Sequence, residues 1–248
     1  AFVGHSRILT VEIPVRIHLS SLSGNTFIHA RTRMGKTNLM LLLARYYLED
    51  PSWGVVFIDP HGDGVDALLG MIPPHRLSRT ILIDFSRQDF IVPLNFLNRY
   101  RNSWEPHRIV ERTVRLGKIL WENYWGPRME DIWRHGVATL LHLNEKFPES
   151  HQFSLLHVIF PFQFGDFHTH IVNRYVTDAT LVAWWSTYWS NLLSDPVFKD
   201  QVITPVLTKL HYLILQPAIR LSLGHPGMAI DFTEALLSRK VILVKLAM

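Results

Sequence analysis

Residues Asn25 to Leu41 read NTFIHARTRMGKTNLML, and this stretch decides the fold. A short apolar run, Phe27-Ile28, ends in a polar loop; Gly35-Lys36-Thr37 follows, and then an apolar-periodic helix. Strand, loop and helix with a lysine at the hinge is the arrangement that holds nucleotide phosphates. Amides at a helix start lack intrahelical acceptors and point outward, and the helix dipole adds partial positive charge there. In such a loop Lys36 would reach the β- and γ-phosphates, and the Thr37 hydroxyl would ligate Mg²⁺.

The expected phosphate loop runs through Ala30, Arg31, Thr32, Arg33, Met34, Gly35, Lys36, Thr37 and Asn38. Against the pattern G-x-x-x-x-G-K-[ST], the first glycine is replaced by Ala30, and Arg33 and Met34 fill a stretch that is often glycine-rich. Alanine serves at the first position only where the backbone stays at negative φ, so a reshaped turn is expected. The bland alternative is an ordinary surface turn.

With 248 residues, 48% hydrophobic and 19% charged, the chain is long enough for a real core and is not of disordered composition. It has no cysteine, which excludes disulfides and cysteine-ligated metal and fits a reducing compartment. No apolar run approaches the roughly 20 residues of a membrane span, and no signal peptide is recognisable. The expected compartment is therefore the cytoplasm, with any membrane association coming through other segments or partners. A net charge of +4 permits nucleic-acid binding without demanding it.

Residues 7–18 alternate and are β-branched, which predicts one or two strands, and Ser20 to Asn25 predict a turn. Thr37–Leu48 predicts a helix. Gly54–Ile58 is a continuous apolar strand of the kind buried on both faces of a parallel sheet, and it ends in Asp59. A carboxylate at that end sits where open α/β sheets hold ligands. Asp63 is expected to cap the next helix, and Thr80–Ile83 predicts a strand ending in Asp84. The recurrence argues for an α/β core. From Glu105 to about Leu215 helical periodicity dominates, and every tryptophan except Trp53 falls here, between Trp104 and Trp189. Strand character returns at Lys240–Leu246, so the reading is a core of residues 1–100 and 216–248, C-terminally incomplete, with a helical insert at 101–215.

The order HARTRMGKT, GVVFIDPHGDG, TILIDFS, VPLNFL resembles the HerA–FtsK superfamily of P-loop ATPases, in particular its TraD/TraG-like conjugative DNA-transfer branch and HerA-helicase-like relatives. YWGPRMEDIWRHGVATLL, TDATLVAWW, ITPVLTKL and DFTEALLSRKVILVKL extend the likeness, in order, over nearly the whole chain. The resemblance implies a RecA-like fold, ATP with Mg²⁺, hydrolysis, a homo-oligomeric ring that is usually hexameric, and DNA moving through it, with a partner protein of the DNA-processing or transfer complex. By matching position Lys36 would be the phosphate-loop lysine, Thr37 a Mg²⁺ ligand, and Asp59 the acidic residue beside the γ-phosphate, serving metal or water. The family's Asp-Glu pair would lie beyond Met248, and no residue matches its arginine finger. The chain by itself is thus expected to bind nucleotide and hydrolyse it poorly.

Arg108, Arg112 and Arg115 lie at i, i+4, i+7 on a predicted helix whose other face carries Ile109, Thr113, Leu116 and Leu120. They form a candidate DNA-backbone stripe, against the plainer reading of a solvated helix face. Arg128 and Arg134 are candidates for nucleotide or neighbour contact, but pairing with Glu130 and Asp131 explains them as well. Asp59–Gly62 fits D-x-x-G, yet no guanine-reading N-K-x-D follows. His168-x-His170 lacks a third metal ligand, and no lid-arginine pattern supports a small-molecule kinase. The rival from another class is a degenerate, non-hydrolysing ATPase fold that binds a partner protein, motivated by Ala30, Arg33 and the unmatched acidic pair.

Overall fold

A hairpin leads the chain: β1 (Phe2–Ile8) pairs antiparallel with β2 (Val11–Arg16). The computed structural model describes residues 2–8, 11–17, 25–29, 31, 33–87, 89–102 and 104–246. Most of the expected turn at Ser20–Asn25, and both Ala30 and Thr32, lie outside those residues. The chain divides into two units, residues 1–86 with 232–248, and residues 87–231.

In the first unit, α1 (Lys36–Glu49) buries Leu41, Ala44 and Leu48 along one face. β3 (Val55–Asp59), α2 (Asp63–Leu69), a 3₁₀ turn at Pro74–Arg79 and β4 (Thr80–Asp84) follow. β5 (Val241–Lys245) enters between β3 and β4, giving a three-stranded parallel sheet of order β3-β5-β4. Val55, Phe57, Val241 and Leu243 pack with Val65 and Leu68 of α2 and with the buried face of α1. The unit is thus a small α/β layer, as the alternation of elements predicts.

Three expectations are corrected here. Residues 25–29 form no strand, and Phe27 is 89% exposed: two apolar residues without a ladder neighbour bury too little to fix an extended segment. β3 is covered on one face only, with Val56 and Ile58 on the other at 48% and 55% exposure, so its continuous apolar run does not mean burial on both sides. Asp63 does not cap α2. Gly62, at φ 92°, stands at the cap position, and Asp63 is the first helical residue.

At the amino ends of the strands a buried arginine ties three segments together. Arg76 donates from Nη2 to the carbonyls of Trp53 (2.8 Å) and Arg239 (3.3 Å) and from Nη1 to that of Asp50 (3.5 Å). These are the segments entering β3 and β5 and leaving α1.

The second unit is mostly helical. α3 (Pro106–Leu120) and α4 (Pro127–Asn144) are followed by short helical turns, then α5 (Pro196–Ile214) and α6 (Pro217–Gly224). Trp133, Trp185 and Trp189 are buried in its core with Ile132, Leu140 and Phe162, where the tryptophan concentration predicts them. α3 buries Ile109, Val110, Thr113, Val114 and Gly117, while Leu116 and Leu120, expected on the apolar face, are exposed. The stretches 87–100 and 216–231, read from sequence as core, pair with each other in this unit. Leu94 bridges Met228, Leu94 N donates to Ser222 O, and Ala229 N donates to Pro93 O. Buried Asn95 and Asn98 lock the junction through Pro226 O, each at 2.9 Å. Among the described residues no single helix is long and apolar enough to cross a membrane.

Candidate functional site

The loop before α1 turns through two left-handed residues, Arg33 (φ 65°) and Gly35 (φ 82°), with Met34 N donating to Arg31 O at 3.3 Å. Glycine adopts this conformation freely, whereas for Arg33 it costs about 1 kcal/mol. Such positions concentrate at ligand sites because the surrounding fold must impose them. Lys36 Nζ folds back to donate to Arg31 O at 3.0 Å, so the loop places its own ammonium. No side chain caps the start of α1, and its first turn has no acidic residue, which leaves the positive helix end uncompensated.

Arg33, Gly35, Lys36, Thr37 and Asn38 line one cavity of about 480 Å³ together with His61, from the turn after β3. The structure therefore brings most of the described loop residues together beside the carboxyl end of the sheet. Met34 is exposed and does not line the cavity; Arg31 contributes its carbonyl to Lys36.

Asp59 stands two residues before His61 and is not itself a lining residue. Its Oδ1 accepts from His61 N (2.9 Å) and its Oδ2 from Gly64 N (2.7 Å), so it caps α2 from the strand end. Burial pushes its carboxyl up, but the amides of His61, Gly64, Gly62 and Val65 outweigh this and hold it below its ordinary value. A carboxylate has about four acceptor positions, so these bonds are compatible with a further role. Asp84 is closed on Ser86, accepting from its N (2.9 Å) and Oγ (2.5 Å).

Sequence reasoning missed two residues here, His61 and Lys245. Lys245 ends β5, in register with Asp59 on one side and Asp84 on the other, and its Nζ bonds Asp66 Oδ2 at 2.7 Å. That bond, with Asp84 and Asp63 also near, raises the lysine pKa. A lysine closing the apolar run VILV was the available signal.

The other candidates fall in the helical unit. The Arg112 guanidinium lies 3.5 Å from the centroid of the Trp104 ring, while Arg108 and Arg115 are exposed along α3. Arg134 pairs with Glu111 and, at 3.2 Å, with Glu130, which also takes Lys118 at 2.8 Å. A cavity of about 580 Å³ lined by Lys118, Glu122, Glu130, Asp131 and Arg134 therefore sets three carboxylates against two cations, unlike the loop before α1. No group of three metal-ligating His, Asp or Glu side chains occurs among the described residues.

Residues 3–117 match the family model described as "Helicase HerA, central domain". Over that stretch the chain is similar to a helicase-type ATPase domain. The matched residues include the loop before α1, the whole cavity lining and both Asp59 and Asp84, but end within α3 and exclude Lys245. No curated protein and no solved structure matches the chain.

Proposed function

We propose that the chain is the nucleotide-binding part of an ATP-driven DNA motor subunit of the HerA-like kind, with a RecA-like core interrupted by a helical domain. The observation that carries the reading is the cavity in which Lys36, Thr37 and Asn38 at a bare helix start meet His61 from the turn after the strand that ends in Asp59. The family match over residues 3–117 supports it. The DNA-transfer branch named from the sequence, a hexameric ring and partner proteins of a DNA-processing complex belong to the same proposal.

In this reading the residues from Arg31 to Asn38 wrap the polyphosphate, Ala30 and Thr32 completing the loop. Gly35 lets the backbone approach closely, and the Lys36 ammonium offsets charge that develops on the phosphates. Thr37 and Asp59 would hold Mg²⁺ through hydroxyl and carboxylate oxygens of the kind that suit it, and the ion would supply charge neutralisation to the polyphosphate. Asp59, held by two backbone amides, orients the metal shell or the attacking water. Arg108 and Arg115, on the exposed side of α3, are the residues proposed to meet the DNA backbone. Arg112 joins them with its guanidinium already stacked on Trp104.

Phosphate release by the full chain in its native assembly, with and without DNA, tests the proposal. The expected result is Mg²⁺-dependent release stimulated by DNA and lowered on the order of 100-fold in Lys36→Ala. Nucleotide binding with no release in any assembly would instead identify a non-hydrolysing scaffold.

A further inference from the structure

Lys245 is the one charged residue of the central strand, and it ends that strand between two strands ending in aspartate. Lysine is seldom buried without a partner, yet this side chain is only 18% exposed. Both of its parts are engaged on the β3–α2 turn. The ammonium bonds Asp66 in the first turn of α2. The alkyl stem lies across Gly62: a Cβ built there would come within 2.5 Å of Lys245 Cε and 3.0 Å of Cγ. The adjoining backbone closes the same corner, with Leu246 N donating to Asp59 O at 3.0 Å and Phe85 N to Lys245 O at 2.9 Å.

The turn covered in this way is the one whose amides hold the Asp59 carboxylate and whose His61 lines the cavity with Lys36 and Thr37. We infer that Lys245 is a positioning residue for the nucleotide site: through Asp66 and Gly62 it fixes the β3–α2 turn, and with it Asp59, for a divalent cation bound with the phosphates. The inference rests on the nucleotide reading given above but concerns a residue outside the family match and outside the phosphate loop. Asp66 is 57% exposed, and an ion pair so placed contributes little to stability, which separates position from folding in the test.

The test titrates a fluorescent ATP analogue into the full chain with Mg²⁺ and with a chelator, comparing wild type, Lys245→Met, Lys245→Arg, Asp66→Asn and Lys36→Ala. Lys245→Met keeps the stem and removes the charge. It is expected to lose about tenfold of the affinity that Mg²⁺ adds, as loss of an outer-shell partner does, with chelator affinity and melting temperature unchanged. Lys245→Arg restores most of the loss, and Asp66→Asn reproduces part of it. Full Mg²⁺ enhancement in Lys245→Met overturns the inference, as does a parallel fall in chelator affinity and melting temperature. Equal binding by wild type and Lys36→Ala, or none by wild type, sinks the nucleotide reading itself.

Discussion

Arg76 shows how much a single buried side chain carries in this α/β unit. The residue is 0% exposed, and its two terminal nitrogens are engaged by three backbone carbonyls rather than by a carboxylate, while Nε has no hydrogen-bond partner among the described residues. Burial, then the neighbouring Arg79 charge, lowers its pKa. Arg76→Met preserves the stem but removes the side-chain donor to the Trp53 and Arg239 carbonyls, Asp50 O keeping the Trp53 amide. The expected loss is about 3 kcal/mol of unfolding free energy, measured by urea denaturation. Lys36→Ala changes a residue whose bond to Arg31 O is exposed, and its stability should stay within about 0.5 kcal/mol of wild type. Neither Arg76 nor Lys245 stands out in the sequence: one sits in a polar loop and the other at the tip of a strand. Their partners lie 23 to 179 residues away. Lys36, Thr37 and Asp59 can be nominated from the sequence because the pattern that proposes them spans only a few neighbouring residues.

Among elements, those with strong local periodicity were the readable ones. α1, β3, β4 and β5 fall within a residue or two of their predicted bounds. The sheet order was not readable, because β5 reaches its place between β3 and β4 only after the helical unit. The pairing of Leu94 with Met228 within that unit is likewise invisible to a local window. Helix α3 offers a test of its packed face. A Cβ at Gly117 would stand 2.2 Å from Trp125 Cζ3, and that indole stacks on Trp121 at 6.1 Å. Gly117→Ala should therefore cost about 2 kcal/mol despite its better helix propensity. The loss should be read in thermal unfolding, accompanied by a shift in tryptophan emission. A stable variant with unchanged emission would mean that the indole moves aside freely.

For the whole molecule, the clearest acid sensitivity resides in the helical unit. Burial lowers the pKa of His157 and of His168; His142 is lowered by burial and then by Lys146. The folded state then binds fewer protons than the unfolded one at pH values just below the ordinary histidine pKa of about 6.5. Stability is full above that value and falls as the pH drops through it. Melting curves at pH 7.5 and 5.5 should show the loss, and His168→Phe, keeping a ring beside Trp185, should reduce it. Among the carboxyls held low, Asp59 and Glu130 act in a separate window, their contribution lost as pH falls below about 4. The α/β unit bears the candidate chemistry, and its central claim is that the loop before α1 grips polyphosphate. Equilibrium titration of the full chain with a fluorescent ATP analogue in Mg²⁺ tests this most directly. Saturable one-to-one binding, weakened at least about tenfold in Lys36→Ala at unchanged melting temperature, is the expected result; absent binding, or equal affinity in the two proteins, would contradict it.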